Sequence, residues 1–388
     1  MGKTSFKNFL KLKPMRKQHI NDASSEPKEY KFLANEIASI NHPKVQHVVI
    51  TKIEDITGNI RRYTLSPNVE AGTSRLAPFK PGQYISVKYQ IGKVRTARPY
   101  SICSWNGDYQ ITIKKDENGL TSKYAFENWS VGTEIDVSAP EGWFCYQPLR
   151  DQKNIVALAG GSGITPFLSL AKSIEAGYSD INLTLVYGCR TRNDIAFKDE
   201  FDSISSRCNK FKVVYVLSDE ECDGYAHGFI TKDLIKKNTN DFDKTSFFIC
   251  GPKAMYESVL NSLNKLGVDR RHIRCEVLGE AHSINDFADC PKDLKKSVEI
   301  TVKIQDEIFK VIADTSKTIL RNLEDAGIAV LNKCRSGVCG FCHSSLIKGE
   351  VFIPGSMDAL READKLYNQI HLCCAYALTD VTIIVAKA

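Results

Sequence analysis

The chain has 388 residues, 43% hydrophobic and 25% charged, which is typical of a globular protein with about two to four domains. It contains no apolar run near the roughly 18 residues that span a bilayer, and its start lacks a secretory-type apolar core, so we expect a cytoplasmic protein. The net charge of +6 comes from six Lys and Arg residues in the first 20 positions, which leaves a neutral body and argues against nucleic-acid binding.

Residues 1–44 are predicted to form a basic N-terminal extension. Residues 1–20 contain no Asp or Glu, and Phe6, Phe9 and Leu10 alternate with the basic residues. A basic amphipathic helix that meets an acidic partner or a membrane surface fits this pattern. We favour a solvated, frayed terminus, because chain ends are poorly ordered unless something ties them down.

Short strand-like runs separated by turns dominate residues 45–148, which predicts a small antiparallel β-barrel. Within it stands Arg98-Pro99-Tyr100-Ser101. An arginine can bind a diphosphate through two hydrogen bonds, a tyrosine can stack on a planar ring, and a serine can hydrogen-bond a ring nitrogen. Taken alone, the tetrapeptide fits a buried structural ion pair better.

A second group of residues follows at a distance that suits the same ligand. It consists of Ile113, Lys114, Gly119, Thr121 and Ser122. A helix that begins here would bring its N-terminus and two hydroxyl groups to the phosphates.

Residues 149–281 alternate buried strand-like runs with helical stretches, which predicts a parallel, doubly wound sheet. A glycine loop at 160–166 follows the first strand and opens a helix, with Pro166 near the first turn. This arrangement directs backbone N–H groups toward a pyrophosphate, although a plain strand-to-helix turn also fits. After the second strand, Arg190 and Arg192 tilt the prediction toward the 2′-phosphate of NADPH, but both also suit a solvated loop or pyrophosphate contacts. The choice between NADH and NADPH therefore stays open.

The last segment, residues 295–388, follows a polar stretch at 282–294 that we predict to be a linker. Its cysteines stand as Cys334-x4-Cys339-x2-Cys342, with a further pair, Cys373 and Cys374, after thirty residues. This is the plant-type spacing for a [2Fe–2S] cluster, with one of the adjacent cysteines as the fourth ligand. Zinc knuckles usually show two short cysteine pairs, so we favour the cluster.

The order of these motifs along the chain resembles that of a known protein family. Arg98-Pro99-Tyr100-Ser101, the 160–166 loop and then Cys250-Gly251-Pro252 resemble the ferredoxin-NADP⁺ reductase superfamily. With the cysteine pattern added, residues 45–388 are similar to the reductase components of multicomponent oxygenases and of the hybrid-cluster protein. The resemblance implies a multidomain α/β plus β fold, with a flavin-binding barrel, a doubly wound nucleotide domain and a β-grasp ferredoxin domain.

The resemblance also implies roles for individual residues. Ser101, near the flavin N5, is the one candidate catalytic residue. The implied flavin contacts are Arg98, Pro99, Tyr100, Ser101, Ile113 and Lys114, with Gly119, Thr121 and Ser122 at the phosphates. The implied nicotinamide-nucleotide contacts are Gly161, Gly163, Thr165, Pro166, Arg190, Arg192, Cys250, Gly251 and Pro252. By spacing alone, Cys250 fits a core thiol better.

Three details refine this prediction. In plant-type ferredoxins the fourth ligand lies seven residues before an aspartate that resembles Asp380, which selects Cys373 over its neighbour. The stretch Pro140-Glu-Gly-Trp-Phe resembles the FAD-using branch, whereas FMN-using reductases of the phthalate-dioxygenase type carry Pro-x-Asn-x-Phe. The family often has an aromatic residue that shields the flavin where this chain has Leu278, so that face of the flavin is in doubt.

The predicted function is an NAD(P)H-dependent reductase with the path NAD(P)H, FAD, [2Fe–2S] and a separate acceptor protein. An oxygenase, the hybrid-cluster protein or a small redox protein fits as the acceptor. The alternative is an electron-transfer subunit of a larger oxidoreductase complex that free NAD(P)H does not reduce efficiently. No nucleic-acid partner is expected, and membrane contact through residues 1–20 is the less favoured use of the basic extension.

Overall fold

The computed structural model describes residues 4–23, 32–117, 119–276, 279 and 283–386. The chain divides into two compact units, Met1–Asn41 and His42–Ala388. Across the described residues, no helix has the length and apolar character that a membrane crossing requires.

The first unit contains two helices, α1 (Thr4–Asn21) and α2 (Leu33–Asn41). The basic segment is therefore helical where we predicted a frayed terminus, even with Pro14 inside the helix. The predicted solvation agrees with the structure, because every side chain from Leu10 to Ala23 is exposed.

The second unit begins with an antiparallel barrel. Its strands follow the order β4-β3-β6-β1-β2-β5, and a bridge between Ile102 and Ile111 joins the two ends. Every second residue of these strands turns toward a core that includes Val48, Tyr63 and Val87. The elements are β1 (Gln46–Thr57), β2 (Ile60–Pro67), β3 (Tyr84–Ile91), β4 (Val94–Ser101), β5 (Tyr109–Lys114), α3 (Leu120–Asn128) and β6 (Glu134–Val137).

A parallel sheet follows, in the order β10-β9-β8-β7-β11-β12. The central strands β7 and β11 are buried along almost their whole length, as parallel strands covered on both faces are. The chain leaves β7 toward β8 and later returns to the other side of β7 as β11, which creates a topological switch point. The elements are β7 (Asn154–Gly160), α4 (Thr165–Glu175), β8 (Asn182–Cys189), α5 (Lys198–Arg207), β9 (Phe211–Leu217), β10 (Ala226–His227), α6 (Lys232–Lys237), β11 (Thr245–Cys250), α7 (Lys253–Lys265) and β12 (Ile273–Glu276).

The barrel and the parallel sheet share one buried core. Phe144, from the barrel side, has its ring centroid 5.6 Å from that of Phe167 on α4 and 5.1 Å from that of Phe248 on β11. Cys103 belongs to the same buried cluster. This continuous packing fixes the barrel against the carboxyl ends of the parallel strands.

The C-terminal part is a mixed sheet in the order β14-β13-β19-β15-β17, with α8 packed on it as the predicted β-grasp fold requires. The stretch that we predicted as a linker is packed against it, because Ile284 and Phe287 form a buried cluster with Tyr376. The elements are β13 (Ser297–Ile304), β14 (Glu307–Asp314), α8 (Ile319–Asp325), β15 (His343–Lys348), β16 (Val351–Phe352), α9 (Glu362–Leu366), β17 (Gln369–His371), β18 (Tyr376–Ala377) and β19 (Val381–Val385).

Candidate functional site

Strand β4 carries the residues predicted to hold a flavin ring. The Tyr100 hydroxyl lies 2.8 Å from the Tyr89 hydroxyl, and burial raises the pKa of Tyr100, so it stays a neutral phenol. Arg98 donates hydrogen bonds to the carbonyl of Ala97 at 2.9 Å and to the hydroxyl of Thr96. Pro99 is buried between them. A planar ring and an anionic group suit these neighbours.

The predicted phosphate contacts gather at the start of α3. Gly119 is the N-cap of α3. Because glycine has no side chain, no capping side chain at this position hydrogen-bonds the first backbone N–H groups of the helix. Thr121 is buried in the first turn and hydrogen-bonds Tyr100, which joins the phosphate end to the ring end. Ser122 accepts a hydrogen bond from the Asp116 amide at 3.2 Å.

The two other residues of this group lie on β5. Ile113 is buried in the barrel core, whereas Lys114 is exposed at the end of the strand. A cation at the end of this strand suits a phosphate. The donor set around β4, β5 and α3 therefore fits a flavin nucleotide.

The glycine loop and the Cys250-Gly251-Pro252 turn meet backbone to backbone at the switch point. A Cβ atom on Gly163 would lie 2.3 Å from the carbonyl oxygen of Cys250, so only glycine permits this approach. Gly161 lies in a single 3₁₀ turn, and Pro166 takes up the first turn of α4. The two loops form one continuous edge, which suits a dinucleotide that lies across the switch point.

Thr165 connects this edge to the flavin barrel. Its hydroxyl lies 2.7 Å from the hydroxyl of Thr112 on β5 and donates to the carbonyl of Ser162 at 3.0 Å. A predicted nucleotide residue is thus hydrogen-bonded to Thr112, which precedes the predicted flavin contacts Ile113 and Lys114 on β5.

A buried carboxyl group stands where the two sites meet. Ser101 Oγ donates to Glu276 Oε2 over 3.0 Å, and Glu276 pairs in register with Cys250 across β11 and β12. Burial raises the pKa of Glu276 to about 8, and the hydrogen bond from Ser101 lowers it only in part. Tyr256 anchors the end of β12 through a hydrogen bond to the Glu276 carbonyl.

Sequence reasoning assigned Glu276 no role. The one feature of the sequence that could have pointed to Glu276 is its place two residues before Leu278, where the family often has an aromatic residue. Leu278 itself lies outside the residues that the structure describes. The prediction about the uncovered flavin face therefore stays untested.

Of the two candidate specificity arginines, Arg190 has its guanidinium paired with an acidic side chain, whereas the Arg192 guanidinium lies 3.8 Å from Cys222 Sγ and 5.7 Å from the centroid of the Tyr225 ring. Arg190 Nε donates to Asp219 Oδ2 over 2.8 Å, and the backbone N–H of Arg192 donates to Glu220 Oε2 over 2.8 Å. Four of the five residues 219–223 are acidic. These contacts form because β8 and β9 are adjacent parallel strands that end at the same edge.

The four predicted cluster ligands form two thiol pairs. Cys334 is hydrogen-bonded to Cys339, and Cys342 to Cys373. Throughout the part of the chain that the structure describes, no three ligand-type side chains converge on one point. Two pairs of thiols suit two irons with two ligands each, which is the arrangement of a [2Fe–2S] cluster.

Backbone amide groups also point at these sulfur atoms. Cys334 Sγ accepts from the N–H groups of Ser336 at 3.5 Å and Cys339 at 3.3 Å, and Cys373 Sγ accepts from Gly337 at 3.3 Å. Such bonds stabilise negative charge on thiolates and on a reduced cluster. Gly337 has a φ of 79°, and a Cβ atom there would lie 2.6 Å from the Met357 carbonyl oxygen.

Cys374 has a different environment. Its thiol donates to the carbonyl of His371 at 3.4 Å, although it also contacts Cys373. The pairing of Cys342 with Cys373 supports the choice of Cys373 as the fourth ligand.

Comparisons with known families agree with this geometry. The family model for the oxidoreductase FAD-binding domain matches residues 47–146, and the one for the oxidoreductase NAD-binding domain matches residues 157–261. The model for the 2Fe-2S iron-sulfur cluster binding domain matches residues 302–379. The predicted cofactors and their order along the chain are confirmed.

Similar individual proteins come from two groups. The glycine betaine monooxygenase reductase subunit of Chromohalobacter salexigens is 26% identical over 321 residues, which cover 79% of this chain and 87% of that protein. NADH-cytochrome b5 reductase 1 of Dictyostelium discoideum is 35% identical over 199 residues, which cover 50% of this chain and 68% of that protein. The solved structure of phthalate dioxygenase reductase shares the fold, with a TM-score of 0.65 and 24% identity over 88% of this chain and 98% of that chain.

Proposed function

Because the chain belongs to the ferredoxin-NADP⁺ reductase superfamily and ends in a [2Fe–2S] domain, we propose that it oxidises NADH and delivers the electrons singly to a separate oxygenase. Two observations carry the proposal. The Ser101–Glu276 pair joins the flavin strand to the nucleotide edge, and the cluster loop belongs to the same compact unit.

The chain's residues bind and orient, and the cofactors supply the redox chemistry. When bound, FAD accepts two electrons as a hydride and the cluster carries one electron at a time. Ser101 presents a hydroxyl for the ring nitrogen, while Tyr100 offers a neutral aromatic face. The start of α3 and Arg98 would hold the phosphates of the bound flavin nucleotide.

Glu276 holds a proton at the junction between flavin and nicotinamide. Since burial raises the pKa of Glu276 to about 8, its carboxyl group is mostly protonated at neutral pH. A neutral carboxyl can donate to Ser101 Oγ, which frees the Ser101 hydrogen for the flavin. Cys250 lines the same junction from the adjacent strand.

The preference for NADH over NADPH follows from the charges after β8 and β9. Arg190 is paired with Asp219, and hydrogen bonds from Ser218 and Arg190 lower the pKa of Asp219, so this carboxylate stays ionised. A 2′-phosphate would bring negative charge against the acidic residues 219–223, whereas a ribose 2′-hydroxyl can donate to a carboxylate. The contacts support NADH, in contrast to the tilt toward NADPH that the two arginines gave in the sequence.

An oxygenase is the acceptor that the relatives favour. The glycine betaine monooxygenase reductase subunit, one component of 1,2-phenylacetyl-CoA epoxidase and the ferredoxin reductase component of 3-ketosteroid-9-alpha-monooxygenase each align over 78–79% of this chain. Their names describe parts of oxygenase systems. The hybrid-cluster protein has no such support.

Reduction of the holoprotein by NADH, followed by reduction of cytochrome c as a one-electron probe, tests the proposal. We expect NADH alone to bleach both flavin and cluster, and a Cys342→Ser variant to keep flavin reduction while losing most reduction of cytochrome c. If neither NADH nor NADPH reduces the flavin, the chain is an electron-transfer subunit of a larger complex and the proposal is wrong; if only NADPH reduces it, the proposed coenzyme is wrong.

A further inference from the structure

Three consecutive residues centred on Cys334 contact residues outside the ferredoxin domain, and two of these contacts are with the flavin-binding barrel. Lys333 Nζ lies 2.6 Å from Glu141 Oε1 at the end of the barrel. The Cys334 carbonyl accepts a hydrogen bond from the Gly279 amide at 3.1 Å. An Arg335 guanidinium nitrogen lies 3.4 Å from the Thr96 hydroxyl on β4.

Arg335 is held rigidly from within the ferredoxin domain. It is fully buried and has left-handed backbone geometry, with a φ of 58°. Its guanidinium binds both carboxylate oxygens of Glu324, at 2.7 and 2.8 Å, and the side-chain oxygen of Asn332 at 3.0 Å. A buried guanidinium paired in this fork geometry has one orientation, so its contact with Thr96 fixes the register between β4 and the cluster loop.

Lys333 makes the corresponding contact on the other side of Cys334. Its side chain and that of Glu141 are each 21% exposed, so the ion pair is partly shielded from solvent. The ammonium group also lies 3.5 Å from the ring centroid of Phe341, which stands between Cys339 and Cys342. Lys333 thus connects the barrel to both ends of the cysteine loop.

The barrel strand in this interface also carries the flavin contacts. Thr96 accepts hydrogen bonds from both Arg335 and Arg98. Helix α8, which supplies Glu324, packs against β4. The Cys334 side of the cluster loop is therefore the side that is fixed to the flavin strand.

We propose that Lys333 and Arg335 are positioning residues, which seat the Cys334 edge of the cluster against the flavin-binding strand and so set the rate of electron transfer between them. This rests on the proposed relay of hydride and single electrons. In the step concerned, one electron leaves the reduced flavin and one iron goes from ferric to ferrous. The cluster passes this electron to the acceptor before it takes the second one, which returns the flavin to its oxidised form, and the flavin's proton goes to solvent.

The test is a double-mutant cycle in the full holoprotein with Glu141→Gln, Lys333→Met and both together. Anaerobic stopped-flow with NADH separates flavin reduction from cluster reduction. We expect each single variant to slow cluster reduction by about tenfold, since small losses of alignment have large effects on rate. The double variant should be no slower than the singles, because the two side chains act through one contact.

Two further readouts distinguish positioning from general damage. Flavin reduction by NADH and the electron paramagnetic resonance spectrum of the reduced cluster should match the parent. Deuterium uptake of the peptide that contains residues 333–335 should increase in the variants. Thr96→Val should also slow cluster reduction. Its flavin content is measured in parallel, because Thr96 also contacts Arg98.

Lys365→Met is the matched control, since it breaks a 2.9 Å ion pair with Asp358 inside the ferredoxin domain. Parent rates of cluster reduction in the Glu141, Lys333 and Thr96 variants would overturn the proposal. An equal slowing in Lys365→Met would overturn it as well. If NADH does not reduce the flavin of the parent protein, the proposed function fails instead.

Discussion

Replacing Glu276 with glutamine should remove a pH-dependent step from flavin reduction. An ionised Glu276 holds the single hydrogen of the Ser101 hydroxyl, over the 3.0 Å that separates the two side chains. A protonated carboxyl, or the amide of glutamine, can donate to Ser101 Oγ and leave that hydrogen for the flavin. The parent enzyme should therefore reduce its flavin more slowly as the pH rises, and the variant should not.

The size of the pKa shift sets the pH window. Burial raises the pKa of Glu276 from 4.5 to about 8. That change means that ionising Glu276 costs about 5 kcal/mol more in the folded protein than in water. About one molecule in ten then has an ionised Glu276 at pH 7, and about nine in ten at pH 9. Loss of one hydrogen bond of about 1.5 kcal/mol in the transition state is roughly a tenfold slower step.

The assay is anaerobic stopped-flow reduction of the holoprotein by saturating NADH between pH 6 and pH 9. The parent rate should fall roughly tenfold around pH 8, while Glu276→Gln stays flat near the parent's low-pH rate. Ser101→Ala should be slow and flat at every pH, because it has no hydroxyl to present. A parent profile without a step near pH 8, or a step that persists in Glu276→Gln, would refute the reasoning.

The remaining predictions concern the fourth ligand, the coenzyme and the extension. Cys373→Ser should lose the [2Fe–2S] absorbance while Cys374→Ser keeps it, and the reverse result would move the ligand to Cys374. Asp219→Asn should raise kcat/KM for NADPH roughly tenfold and leave NADH little changed, because about one unfavourable charge contact disappears; Asp180→Asn, a charge change elsewhere on the surface, should alter neither. Deletion of residues 1–41, a separate compact unit, should leave the rate of flavin reduction by NADH at the parent value.

The sequence was most informative where several functional groups of a site lie close together along the chain. The three clustered cysteines, the glycine loop and the β4 tetrapeptide each place their functional groups within a few residues. Their order along the chain then predicted the three domains, which the family models confirm. For the cysteines the local spacing itself indicated the site, whereas the glycine loop and the tetrapeptide gained their roles from the resemblance that the order of the motifs carries.

Contacts between distant segments had no such signal. Ser101 and Glu276 are 175 positions apart, and no sequence motif indicates that the two side chains meet. Arg190 suggested NADPH until the parallel alignment of β8 and β9 brought Asp219 beside it.

The central claim is that one chain takes a hydride from NADH and passes on single electrons. The most direct test is one anaerobic turnover of the holoprotein with NADH, followed by flavin absorbance and by rapid-freeze electron paramagnetic resonance of the cluster. The account predicts that the flavin is reduced first and that the signal of the reduced cluster then grows as the flavin is partly reoxidised. A cluster that stays oxidised beside a reduced flavin, or one that is reduced before the flavin, would contradict it.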